Sequence, residues 1–248
     1  MIFCTGDCHG EFRRFNRKYF PERETMSRED YVIICGDFGG VWNGGERDQI
    51  KLDWLEDLPF TTLFVDGNHE GYDELKKYSV EEWHGGKVQK IRAHVIHLMR
   101  GQVYDIDGYT FFTMGGASSH DIEDGILDPD DPAFYDKYLK LSQSDAMFRV
   151  NHMSWWKEEL PDDEEYGEAR KNLERVGYDV DFILTHCAPS SIVDILSGGQ
   201  YGHDRLTDFL EEVKRKTSYN CWLFGHYHKN EAIDDKHILL YEQIVQIA

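Results

Sequence analysis

Five short apolar runs, each cut off by a glycine or a polar residue, set the frame for this chain: MIFCT, YVIICG, TTLFVDG, DFILTH and NCWLFG. A strand with one face in water alternates apolar and polar residues. Continuous runs of this length belong to strands covered on both faces. Helix-like stretches lie between them, with Ile50, Trp54 and Leu58 at four-residue spacing and Leu206, Phe209, Leu210 and Val213 gathered on one side. This alternation predicts an α/β fold. In the middle, HVIHLMRGQVYDIDGYTFFTMGG reads as three strands punctuated by Arg100-Gly101 and Asp107-Gly108, which predicts an antiparallel portion or a second sheet.

The chain has 248 residues, enough for one large domain or two small ones. We expect a single domain over 1–248. From about 118 to 172 the pattern loosens, with Pro129, Pro132, many aspartates and the run PDDEE, and this stretch reads as an acidic inserted cap or lobe. Asp and Glu number 47 against 27 Lys and Arg, for a net charge of -20. That charge repels polyanions and weighs against long nucleic acids, although a metal centre or a local basic patch still attracts a phosphate. The five cysteines include no Cys-x-x-Cys pair, which fits reduced thiols in a cytoplasm. No stretch is long and apolar enough for a membrane span, and the charged motif TGDCHG starting at Thr5 leaves no room for a signal peptide.

The residues just past the end of each run carry the chemistry. Asp7 and His9 come after the first, Asp37 after the second, Asn68, His69 and Glu70 after the third, His186 after the fourth, and His226 and His228 after the fifth. In an open α/β sheet the carboxyl ends of the strands form the rim where ligands bind. Carboxylates, imidazoles and an amide without thiolate suit Mn, Fe, Zn, Ni or Mg. So many donors exceed one ion's needs and suit a pair, in which a bridging carboxylate holds the ions roughly 3.5–4 Å apart and water between them becomes nucleophilic. His226 and His228 would face opposite ways on a continuing strand. The backbone must therefore turn, and Gly225 is expected to permit the turn.

The ordered set Asp-x-His, Gly-Asp, Gly-Asn-His-Glu, a strand-end His and Gly-His-x-His, from residue 6 to residue 228, resembles the signature of the calcineurin-like metallophosphoesterases. The resemblance implies a four-layer α-β-β-α sandwich of two mixed sheets with a dinuclear centre at one sheet edge. It implies that Asp7, His9 and His228 hold one metal, that Asn68, His186 and His226 hold the other, and that Asp37 bridges them. His69 is then the residue that serves the leaving group rather than a metal. For Glu70 a place at a helix start and a role behind the ligands stand side by side, and Asp66 receives no role.

Protein Ser/Thr phosphatases of this family carry an Asp and an Arg where this chain has Gly40 and Val41, which counts against a phosphoprotein substrate. GGASSHD at 115–121, with Arg149 and SWWKEELP at 154–161, resembles an element of a bacterial and phage subgroup, and makes Arg149 a candidate phosphate clamp. Ser119, His120 and Asp121 are contiguous, and contiguous residues seldom make a nucleophilic triad. His84, His94, His97, His152, His203 and His237 read as surface or core histidines, and Trp155 and Trp156 as packing. The expectation is a metal-dependent hydrolase of a phosphomonoester or a small phosphodiester or nucleotide. A nuclease and a non-catalytic metal-binding scaffold are the alternatives.

Overall fold

A computed structural model describes every residue from 1 to 248. Its first sheet starts with β1 (Ile2–Thr5), β2 (Tyr31–Cys35) and β3 (Thr61–Val65), all parallel. β4 (Val80–Trp83), β5 (Gly86–Arg92) and β6 (Val95–Leu98) extend it, with β6 parallel to β3 and β5 antiparallel to both neighbours. With β15 (Ile244–Gln246) on the far edge, the order is β15-β1-β2-β3-β6-β5-β4.

The second sheet holds β7 (Gln102–Ile106), β8 (Tyr109–Met114), β11 (Phe182–Thr185), β12 (Cys221–Phe224), β13 (Glu231–Ala232) and β14 (His237–Leu239) in the order β13-β14-β12-β11-β8-β7. Its inner strands are parallel and its edge strands antiparallel. Asp107 and Gly108 both take positive φ, 55° and 81°, as the tight β7–β8 hairpin requires. Arg100-Gly101 differs from the sequence expectation. It is no hairpin turn but the point where the chain leaves the first sheet for the second.

Side-chain alternation divides the interior into three cores, which makes four layers. Ile33 and Cys35 of β2 meet Tyr104, Phe111, Leu184 and Leu223 between the sheets. Val32 and Ile34 face the other way, toward α1 (Glu46–Glu56) and α2 (Tyr72–Leu75). Beneath the second sheet, Ile183, Trp222 and Phe224 pack on α4 (Asp163–Arg175), α5 (Ser190–Ser197) and α6 (Arg205–Lys216). α6 buries Leu206, Phe209, Leu210 and Val213 as its spacing predicts. α1 does not follow its apolar spacing: it buries Asp48, Leu52 and Leu55 and leaves Ile50 62% exposed, because Asp48 is drawn inward by the backbone amides of Trp42, Asn43 and Gly44.

Within 118–172 the start, Ser118–His120, joins the body and the middle is the most exposed part. α3 (Phe134–Ser142) buries no residue, beside a small pair formed by β9 (Ile126–Leu127) and β10 (Arg149–Val150). Trp156 and Glu159 return to the body and are buried in it, and α4 buries Tyr166, Ala169, Asn172 and Leu173 against it.

Candidate metal centre

Parallel registers decide where the polar strand ends emerge. Thr5 lies beside Ile34, and Cys35 beside Val65, so Asp7, Asp37 and Asn68 leave the first sheet along one edge. Leu184 beside Leu223 does the same for His186 and His226 in the second. The two edges adjoin, and donors from both sheets meet across the seam.

Donor atoms of Asp7, His9, Asp37 and His228 all lie within 4.8 Å of one another. His9 Nε2 and His228 Nε2 face each other at 3.0 Å, and His228 Nε2 is 3.1 Å from Asp7 Oδ2. Asp7 Oδ2 is buried with no aligned hydrogen bond, while Oδ1 accepts from the backbone N–H of His226. A buried carboxylate oxygen without a donor is costly, and a cation facing it would remove that cost. Asn68 and His186 form the adjoining set. His186 Nε2 is 3.2 Å from both Asn68 Oδ1 and Asp37 Oδ1, and its Nδ1 donates to the Cys35 carbonyl. Asn68 Nδ2 donates to Ser119 Oγ, which donates in turn to the buried Glu159 carboxylate, so the amide is held with its oxygen inward. The residues present fit divalent metal ions, with one carboxylate, Asp37, between the two sets.

The backbone is strained at these positions. His9, Asp37, His226 and His228 take positive φ of 48°, 47°, 71° and 49°. Left-handed backbone at non-glycine residues costs roughly 1–2 kcal/mol each and persists where surrounding contacts over-determine it, commonly at functional sites. Gly225, expected to permit the turn, is outside the left-handed region. The histidines themselves turn the chain. Glycine is needed because a Cβ there would collide with Asp7 Oδ1 and crowd the Cys35 carbonyl oxygen.

The two buried carboxylates dominate the electrostatics. Burial opposes the charge on Asp37, but His186, His69 and His9 override it and hold the carboxyl well below its usual range. Burial likewise opposes charge on His186, and Asp37 reverses the outcome, raising it to about 10. Burial drives His226 well below its ordinary value, helped by His186, while the adjacent Asp7 carboxylate raises His228.

His69 hangs from the same carboxylate: its backbone N–H donates to Asp37 Oδ1 at 2.8 Å, and its ring meets His9 edge-on at 5.3 Å between centroids. Burial lowers its pKa against the pull of Asp37, and the nearby Arg149 lowers it further. Arg149 itself is ion-paired with Asp121. Glu70 is fully buried and accepts from the backbone N–H groups of Phe38 and Gly39, so it fixes the loop that presents Asp37. α2 begins after it, and the helix-start role falls away.

Several residues at the site carry no spacing signal. Asp66, one residue past β3, is buried against Arg100, His97 and Tyr72, with Arg100 Nε donating at 2.7 Å and Tyr72 Oη at 2.9 Å. His120 Nε2 lies 3.1 Å from His226 Nε2, and its ring stacks on Tyr201 at 5.5 Å. His97 and His237 are hydrogen-bonded core residues, and Trp156 packs in the core beneath the first sheet.

A lariat debranching enzyme A from Xenopus laevis is 26% identical over 97 residues, a match covering 33% of this chain and 18% of that protein. The aligned stretch is thus under a fifth of that relative's length. The model of the calcineurin-like phosphoesterase family matches residues 1–230, which takes in every strand end described above. On that match the chain belongs to the calcineurin-like phosphoesterase family.

Proposed function

We propose that the chain hydrolyses phosphomonoesters or small phosphodiesters with two divalent metal ions. The observation that carries this reading is the meeting of two buried carboxylates with four imidazoles and an oriented amide at one seam, with Asp7 Oδ2 left without an aligned donor. Asp7, His9 and His228 would hold one ion, Asn68, His186 and His226 the other, and Asp37 would serve both. When bound, the ions supply Lewis-acid neutralisation of charge on the phosphoryl oxygens and make water nucleophilic near neutral pH. Asp37 fixes the backbone of His69, and the His69 ring is free to give a proton to the leaving oxygen. Arg149 lies close enough to His69 to depress its pKa, and it would reach a phosphoryl oxygen by exchanging its Asp121 partner. The exposed part of 118–172 would bound access as an inserted lobe. Five unpaired cysteines support a reducing compartment, the cytoplasm, and no helix is long and apolar enough to cross a membrane.

The test is hydrolysis of p-nitrophenyl and bis-p-nitrophenyl phosphate by metal-stripped protein with Mn, Ni, Co, Zn or Mg restored singly. Activity that returns with metal and disappears in Asp37→Asn supports the reading. Two bound ions without turnover on a broad phosphoester panel would replace it with a metal-binding scaffold. Similarity to a lariat debranching enzyme favours one second reading, a nuclease. Digestion of single-stranded DNA and RNA, with steep loss of binding in salt, distinguishes it.

A further inference from the structure

Two open clefts meet at His9. One, of about 740 Å³, runs past Asp7 and is bordered by Tyr19, Phe20 and Tyr241. The other, of about 510 Å³, runs past His69 toward Trp42, Arg47 and Lys51. His9 lines both, so a groove passes over the donor cluster instead of ending there. A monoester has one arm and needs one cleft. A diester has two.

The clefts differ in charge. In the Tyr19 cleft, Arg13 is paired with Glu11 and Arg14 gives its guanidinium to Thr5 Oγ1 and to backbone carbonyls, while Glu22 and Glu242 have no cationic partner. That side rejects a negative arm and offers aromatic rings. In the His69 cleft, Lys51 and Arg47 make no ion pair and no hydrogen bond, in a chain of net charge -20. The Lys51 ammonium rests on the His9-Gly10 turn, where a Cβ at Gly10 would collide with it. Of the carboxylates there, Asp48 accepts three backbone N–H groups through Oδ2, so Glu46 alone stands against the two cations.

Building on the hydrolase reading, we propose that the substrate is a phosphodiester laid across His9, with an aromatic, uncharged arm in the Tyr19 cleft and a leaving arm bearing further phosphate in the Lys51 cleft. His69 borders only the second cleft, which assigns the leaving arm to that side.

The experiment uses the full chain loaded with Mn. First, kcat/KM is compared for bis-p-nitrophenyl and p-nitrophenyl phosphate; a diester preference of tenfold or more is expected, and equal or faster monoester hydrolysis overturns the assignment. Second, the dinucleotides UpU and UpUp, which differ by one terminal phosphate, are compared in wild type and in Arg47→Ala/Lys51→Ala. UpUp is expected to be cleaved about tenfold more efficiently by wild type, with the ratio collapsing toward one in the double variant. A ratio the substitutions leave unchanged overturns the charged arm. If no ester is turned over, the hydrolase reading fails, and calorimetric binding of UpUp to metal-free protein decides the groove separately: weaker binding in the double variant upholds it, and equal binding removes it.

Discussion

His69 is tied to Asp37 by its backbone N–H rather than its ring, so the imidazole can be removed without breaking the bond that fixes the loop. His69→Ala is expected to keep metal binding while kcat falls roughly a hundredfold or more; unchanged turnover with full metal content removes His69 from the mechanism. In the proposed site His120 would act one step behind His226. It occupies His226 Nε2, leaving Nδ1 as the ring nitrogen without a protein partner, much as Cys35 O occupies Nδ1 of His186. His120→Ala should weaken binding of one of two ions by roughly 10–100-fold in calorimetry, and His120→Gln, whose side-chain oxygen accepts a hydrogen bond, should recover much of it. Two normal affinities in His120→Ala would make that contact incidental. The strand-end donors were legible because each closely trails an apolar run. His120 and Glu159 were not, because their partners His226 and Ser119 are 106 and 40 residues away and no short-range pattern connects them.

Between β3 and β7, Asp66 and Arg100 form a buried ion pair backed by His97, Tyr72 and Glu165. Arg100→Met takes from the buried Asp66 charge its guanidinium partner, and is expected to cost about 3–5 kcal/mol in denaturant unfolding. The pH dependence has a definite sign. Burial opposes the Asp66 charge, but Arg100 and His97 hold its folded pKa below the unfolded value of about 3.9, so the pair stabilises above that pH and its contribution drains away as pH falls. Acid unfolding in Arg100→Met should begin at higher pH than in wild type, and coincident profiles would contradict the assignment. The strands were readable from their apolar runs and α6 from its spacing. The face of α1 was not, because three amides ahead of the helix capture Asp48 and rotate Ile50 toward water. The Arg100-Gly101 crossing was also hidden, since glycine after a strand marks a turn without saying which sheet receives the chain.

Across the whole chain, the strand order β15-β1-β2-β3-β6-β5-β4 interleaves segments far apart in sequence. The residue pattern gave the α/β class and an antiparallel portion or second sheet, and the four layers were accessible solely through the family resemblance. Metal at about a hundred times its Kd should add about 2.7 kcal/mol to stability, or roughly 5–10 °C in Tm, and chelation should reverse it. An unchanged Tm would mean that the folded chain takes up no metal. The donors come from both halves of the sandwich: Asp7, Asp37 and Asn68 from one sheet, His186 and His226 from the other. An ion held between them would act as a rivet through two plates at one margin. It would stiffen that margin while the opposite one, where β1, β2, β11 and β12 begin, stays free to breathe. Amide hydrogen exchange should therefore slow on metal loading along a gradient that starts at the riveted margin and fades toward the other.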